Sequence, residues 1–346
     1  MIGSRWFFGS VLALAMPLAA QAQVIGVPYD DGQRLPPQAP VLPPPPLPVL
    51  EGSPYVIYPV RGGTFMISGP SANVLVQVGL DGVLVVDTGP AGDAAGLLRE
   101  IRRLSPRPIR YILNTNADAD HVGGNVGLSG IGQDIGSGNE RPDGVQGYGA
   151  TPTLAHEQVM FRLLEEGASE GLPTLTYFVA QKDIFFNGEP VSLIYAPGHT
   201  GGDSLVMLRR SDVIAAGDIY TPDRYPELAL DKGGSIAAYL ASLNHLIALT
   251  IPEFNQQGGT FVVPGHGRLS DEGDIQDYRD MVTFIHDRVK AMVDRGMSLE
   301  QVQAARPSQD YDVRYSREAG DRFVAQIYTS LTQPPLADEA TLEVPE

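Results

Sequence analysis

The residues best suited to chemistry crowd into one short stretch, N-A-D-A-D-H-V-G-G-N, beginning at Asn116. Asn116, Asp118, Asp120 and His121 place four potential cation ligands within six positions, and Gly123 and Gly124 follow. The run before them, residues 109–113, is apolar and β-prone, so the ligands fall on a loop that leaves a buried strand. In an extended backbone, residues 116, 118 and 120 share one side, and His121 either points the other way or opens a helix. Asn, Asp and Gly are also ordinary turn residues, so this stretch alone does not separate a metal loop from a polar turn. Three later segments do: P-G-H-T-G-G-D from Pro197 to Asp203, A-A-G-D-I-Y from Ala215 to Tyr220, and V-P-G-H-G from Val263 to Gly267. They set His199, Asp218 and His266 directly after apolar runs. Four such strand ends in one chain predict a metal site at one edge of a β-sandwich. The sequence contains no cysteine. Disulfides, thiolate ligands and cysteine nucleophiles are thereby excluded, and any metal must be held by His, Asp, Glu or Asn.

Positioning these loops requires many short strands. Residues 56–60, 64–68 and 73–78 are β-rich runs separated by glycine and proline. Residues 82–87 read as a buried strand ending in Asp87-Thr88-Gly89, and 91–104 as a helix with apolar residues at helical spacing. A short strand and helix are expected over 153–167, with His156 at the helix start. A second set of strands follows at 183–187, 190–196, 204–209 and 212–216. Residues 235–249 are an amphipathic helix carrying His245, and 260–263 the last strand. Beyond it, helices are expected over 274–295 and 317–331. Another at 298–305 opens with a capping box, Ser298 with Gln301 three residues later. The glycine-rich stretch 125–151 lacks the Lys-Ser/Thr ending of a phosphate loop and reads as a long loop at the site's rim.

The chain has 346 residues, 43% of them hydrophobic, enough for a large core, and a net charge of −17. Such acidity argues against nucleic acid or an anionic membrane as partner. Arg5, an apolar run over 6–18 and Ala20-Gln21-Ala22 form a secretory signal pattern, too short to span a bilayer as a mature helix. The expected organisation is a signal peptide (1–22), a proline-rich linker (23–50), a main domain (51–270), a C-terminal helical extension (271–331) and an acidic tail (332–346). The mature protein is expected in a periplasm or outside the cell.

These segments, in this order, resemble the metallo-β-lactamase-fold hydrolases, whose H-x-H-x-D-H loop, later G-H-T, G-D and final G-H they parallel. The resemblance implies an α/β fold, a four-layer αββα sandwich, here with added C-terminal helices. It also implies one metal position lined by Asn116, Asp118 and His199. A second would use Asp120, His121 and His266, with Asp218 bridging and Asp87 bracing the loop from below. This chain departs from the family where Asn116 and Asp118 replace two histidines. Hard oxygen donors favour Mn, Mg, Ca or Fe over Zn. The expected cofactor is therefore zinc, one or two ions, with Mn or Fe at the altered first position. The implied chemistry is hydrolysis of an ester, lactone, thioester or amide in a small molecule by metal-activated hydroxide. Asp120 would orient it, and Asp118 would serve as a general base if the first position is vacant. Tyr220, Arg224 and His156 are candidates for substrate contact. Two other readings remain open: a binding protein of this fold that has lost catalysis, and a mononuclear-iron redox enzyme.

Overall fold

A computed structural model describes residues 44–131, 150–251 and 259–333. The expected signal peptide, the linker up to residue 43, residues 132–149 of the glycine-rich loop and the tail beyond 333 lie outside the described residues. Alternating apolar side chains build two sheets. In the first, β1 (Val56–Arg61), β2 (Thr64–Ser68), β3 (Asn73–Gly79) and β4 (Gly82–Val86) pair antiparallel in chain order. Then β5 (Ile109–Leu113), β6 (Thr153–His156) and β7 (Leu175–Tyr177) add in parallel. The second sheet runs β12 (Phe261–Pro264), β11 (Val213–Gly217), β10 (Ser204–Leu208), β9 (Glu189–Tyr195), β8 (Gln181–Phe186). Only its β11–β12 pair is parallel.

The period of two sorts each strand between two cores. In β4, Leu84 and Val86 join Val206, Leu208, Val213 and Ala215 of the other sheet in a core between the sheets. Val83 and Val85 face the opposite way, onto Leu97 and Ile101 of α1 (Ala94–Leu104). Leu205, Met207 and Ile214 of the second sheet face Tyr239, Leu243 and Leu246 of α5 (Ile236–Leu249). The result is the expected four-layer αββα sandwich, in which both sheets are covered on both faces. The same outer core takes in the C-terminal helices α6 (Glu272–Val293), α7 (Leu299–Ala304) and α9 (Arg317–Thr332) through Ile275, Val282, Val302 and Phe323.

Departures from the sequence reading are local. The α6 helix starts at Glu272, because Asp274 is its third residue and forms a capping box with Asp271. The box at Ser298 and Gln301 is present. The rim segment opens as a short helix, α3 (Asn125–Ser129), pinned by buried Asn125, whose side chain bonds Asn114 and Thr88. The three-residue β7 and the one-turn α8 (Asp312–Tyr315) carry too few residues to show a period.

Gly124 lets the ligand loop lie against β4's exit. A Cβ there would stand 2.2 Å from the Thr88 carbonyl oxygen, a backbone atom with no room to move. Gly124→Ala is expected to cost about 2 kcal/mol or more. That corresponds to a melting temperature lower by roughly 4 °C or more in a chain of this size, measurable by thermal unfolding of the metal-free protein.

Candidate metal centre

All the ligand-bearing loops leave one edge of the sandwich. Two backbone bonds lock the sheets together there: Ser204 N–H to the Thr115 carbonyl at 2.7 Å, and Asn73 N–H to the Gly265 carbonyl at 2.7 Å. The Asn73 amide also donates to the carbonyls of Pro264 and Gly267, clamping the turn that carries His266. Gly265 is required beside the bridging carboxylate, since a Cβ would meet Asp218 Oδ1 at 2.3 Å.

Below the loops sits Asp87, buried and with φ +61°, a backbone state that an Asp tolerates better than most residues. Its carboxylate accepts from Thr115 N–H at 2.8 Å, Thr115 Oγ1 at 2.7 Å and His121 Nδ1 at 2.8 Å. These bonds tie Thr115 and His121 to the end of β4. They fix the tautomer of His121, whose Nε2 is turned inward, as metal-ligating histidines require. His121 belongs to a single helical turn, α2 (Ala119–Val122), with Asp118 as its N-terminal flanking residue. The extended alternation therefore ends at Asp118, and Asp120 reaches the site from within the helix.

Two groups of ligand atoms result: Asp120, His121 and His266, and Asp118, His199 and Asp218, each with its donor atoms within 4.8 Å of one another. Asp218 lies between them. Its carboxylate stands 3.1 Å from His121 Nε2, 3.5 Å from His266 Nε2 and 3.7 Å from His199 Nε2. Asp120 Oδ2 is 3.2 Å from His266 Nε2 and accepts from Ser71 Oγ at 3.1 Å. His199 donates from Nδ1 to the Glu227 carbonyl at 2.7 Å, and its Nε2 meets Asp118 Oδ2 at 2.8 Å. The His199 turn rests on buried Asp203, which accepts from the N–H groups of Gly198 and Thr200 and from the Thr200 hydroxyl.

The residues fit a metal. Donors sharing a tetrahedral ion at about 2.0–2.1 Å sit about 3.3 Å apart, and the 3.1, 3.2 and 3.5 Å separations around Asp120, His121, His266 and Asp218 match that spacing. His121 Nε2 and Asp218 Oδ1 are buried and make no well-aligned hydrogen bond among the described residues, although the Asp218 carboxylate stands 3.1 Å from the imidazole. A buried polar atom left so is costly, and a cation between them answers both.

Electrostatics agree. Burial works against the His121 imidazolium, yet the charges of Asp218 and Asp87 hold its pKa well above the ordinary value. For His199, burial is likewise outweighed, here by the Asp118 hydrogen bond and the charges of Asp203 and Asp218, raising it to about 10. Burial opposes ionisation of Asp218, but His121, His199 and His266 keep it well below the usual carboxylate range. Without a metal, then, the neighbouring carboxylates favour the charged forms of His121 and His199.

Other expected residues have other partners. Asn116 is buried in the site, but its carbonyl oxygen accepts from Asp118 N–H at 2.9 Å, while its amide nitrogen faces Asp218 at 3.4 Å. Tyr220 is fully buried, with its hydroxyl on Ser270 Oγ and its ring against Tyr278, so packing claims the side chain expected to meet substrate. His156 stacks on Tyr195 at 4.1 Å, and its Nδ1 accepts from Gln158 N–H to cap α4 (Glu157–Glu165). Burial lowers its pKa to about 4, which leaves it neutral. Arg224 is exposed, two residues past buried Pro222. Sequence reasoning missed Lys232, whose Nζ lies 2.8 Å from Asp118 Oδ1. A lone lysine in a glycine-bordered turn gives no signal of its own.

This fold and this edge define a metallo-β-lactamase-type centre, and the chain belongs to the metallo-beta-lactamase superfamily, which it matches over residues 67–266. It is 22% identical over 253 residues to a linear primary-alkylsulfatase of Pseudomonas sp. (strain ATCC 19151), covering 64% of this chain and 47% of that protein. Among solved structures, the stereoselective inverting sec-alkylsulfatase Pisa1 from Pseudomonas sp. superposes with a TM-score of 0.62 at 14% identity, over 83% of this chain and 52% of the other. The DIM-1 metallo-beta-lactamase superposes with a TM-score of 0.51 at 17% identity, over 66% of this chain and 97% of the other. The chain thus spans about half the length of the alkylsulfatases it matches.

Proposed function

We propose that this protein is an exported metal-dependent hydrolase of small-molecule esters, with alkyl sulfate esters the first class to test. Carboxylic esters, lactones, thioesters and amides follow. The carrying observation is the convergence of Asp120, His121, His266 and Asp218, with His121 Nε2 and Asp218 Oδ1 left as buried, unpartnered atoms. These four residues would hold the ion. Two carboxylates and two imidazoles suit zinc, with iron or manganese as the nearest competitors. When bound, such an ion acidifies water towards a pKa of about 7 and polarises the substrate. Asp120, steadied by Ser71, orients the attacking water. His199, held by the Glu227 carbonyl and paired with Asp118, whose hydrogen bond favours the imidazolium, is placed to supply the proton for the departing oxygen. The alkylsulfatase names of the relatives support the sulfate ester. The N-terminal signal pattern supports export.

The test combines metal analysis of protein purified without chelator with a panel of decyl sulfate, 4-nitrophenyl acetate, a γ-lactone and nitrocefin. Bound metal, with turnover of at least one substrate that is lost on chelation and restored by zinc, is expected. Protein carrying no metal and turning over nothing would leave the fold as a binding module instead.

A further inference from the structure

Resting on the metal-hydrolase reading above, we propose that this centre takes a single ion, at Asp120, His121, His266 and Asp218. The Lys232 ammonium occupies the place of a second cation beside Asp118 and His199.

The two halves of the site differ in how their polar atoms are satisfied. Of the two orphaned atoms, His121 Nε2 belongs to the Asp120 half, and Asp218 Oδ1, on the carboxylate between the halves, stands 3.5 Å from His266 of that same half. On the other side Asp118, His199 and Asn116 are already partnered. Asp118 Oδ1 takes Lys232 Nζ at 2.8 Å, and Asp118 Oδ2 takes His199 Nε2 at 2.8 Å. His199 Nδ1 is on the Glu227 carbonyl, and the Asn116 oxygen is on Asp118 N–H. The 2.8 Å between Asp118 and His199 is a direct hydrogen bond, shorter than the spacing of about 3.3 Å expected of two ligands around one tetrahedral ion.

Lys232 is not a passing surface charge. Its carbonyl accepts from Gly201 N–H at 2.8 Å, and its own N–H bonds the Ala229 carbonyl at 2.8 Å. Ala229 N–H in turn bonds the His199 carbonyl at 2.9 Å, so the lysine turn is joined to the histidine turn. Gly233 continues with φ +78°, and Gly234 sits so close to the His199 carbonyl that a Cβ would fall 2.1 Å from it. The Lys232 side chain is 27% exposed, and its ammonium has Glu166 as a second, longer partner at 3.9 Å. A cation entering between Asp118 and His199 must displace a fixed positive charge. With Asn116 in place of an imidazole, it would also find one strong ligand fewer.

Zinc equivalents per chain, counted by elemental analysis after dialysis against a zinc buffer, test this directly. Cobalt titration followed by visible absorbance gives an independent count. The wild-type chain is expected to hold one equivalent, Lys232→Ala two, and Lys232→Arg one. Two equivalents in the wild type would overturn this inference and leave the hydrolase reading standing. No equivalent of zinc, cobalt, manganese or iron in the wild type would remove both. One equivalent in both wild type and Lys232→Ala would overturn the role given to Lys232. Lys232→Met, which keeps the aliphatic stem, replaces the alanine variant if that chain fails to fold, and the wild-type count is decisive without either.

Discussion

Asp218→Ala is expected to leave the protein folded, unable to retain metal and at least about 10³-fold lower in kcat/KM, a loss of roughly 4 kcal/mol in transition-state stabilisation. Among the described residues, Asp218 is the one carboxylate within 3.7 Å of all three site imidazoles. Its removal takes away both a ligand and the charge that orders His121, His199 and His266. Elemental analysis and progress curves with the active substrate read the two losses. A variant that still carries a full metal complement would contradict the ligand assignment. Because the charges of Asp218 and Asp87 raise the pKa of His121 in the metal-free state and a ligating imidazole is neutral, metal uptake is expected to release protons. Adding zinc to metal-free protein in weakly buffered solution near pH 7 should therefore acidify it. Zinc affinity should weaken as the pH falls. Uptake without proton release would contradict this account.

Asp87→Ala is expected to damage stability and metal affinity together. Three buried donors, the N–H and hydroxyl of Thr115 and Nδ1 of His121, lose their acceptor. Each unsatisfied buried group costs about 1–3 kcal/mol, so a loss of roughly 3 kcal/mol or more is expected, roughly 6 °C or more in melting temperature. Alanine at φ +61° adds strain. Freed from Asp87, the His121 ring is no longer held with Nε2 inward, and metal affinity should fall by about 10–100-fold. Thermal unfolding of the metal-free variant and competition with a zinc chelator separate the two effects. A melt within a degree or two of the parent would show that Asp87 is not the brace.

Much of this was legible in the chain itself because it is local. The unbroken apolar runs V-L-V-V and L-V-M-L declare strands buried on both faces. The repeated habit of ending an apolar run in His or Asp declares a ligand edge. Ser298 and Gln301 spell out their own capping box. The D-T-G after β4 marked Asp87 through its likeness to the family. Partnership across the chain was not legible, because it depends on which distant loops meet. Lys232 stands 114 positions from Asp118, and nothing near it in sequence names its partner. Asn116 reads as a ligand by type, and only its hydrogen bonds show the carbonyl already committed to Asp118 N–H. Tyr220 stands two residues past Asp218, where an extended strand would place both side chains on one side. The chain turns at residues 218–219 instead, and the Tyr220 ring enters the core. Residue type and spacing thus dictated the sandwich and the edge at which chemistry collects. The packing of these loops against one another decided which of those side chains keep a free lone pair for a metal, since each bond made within the protein is a bond withheld from the ion.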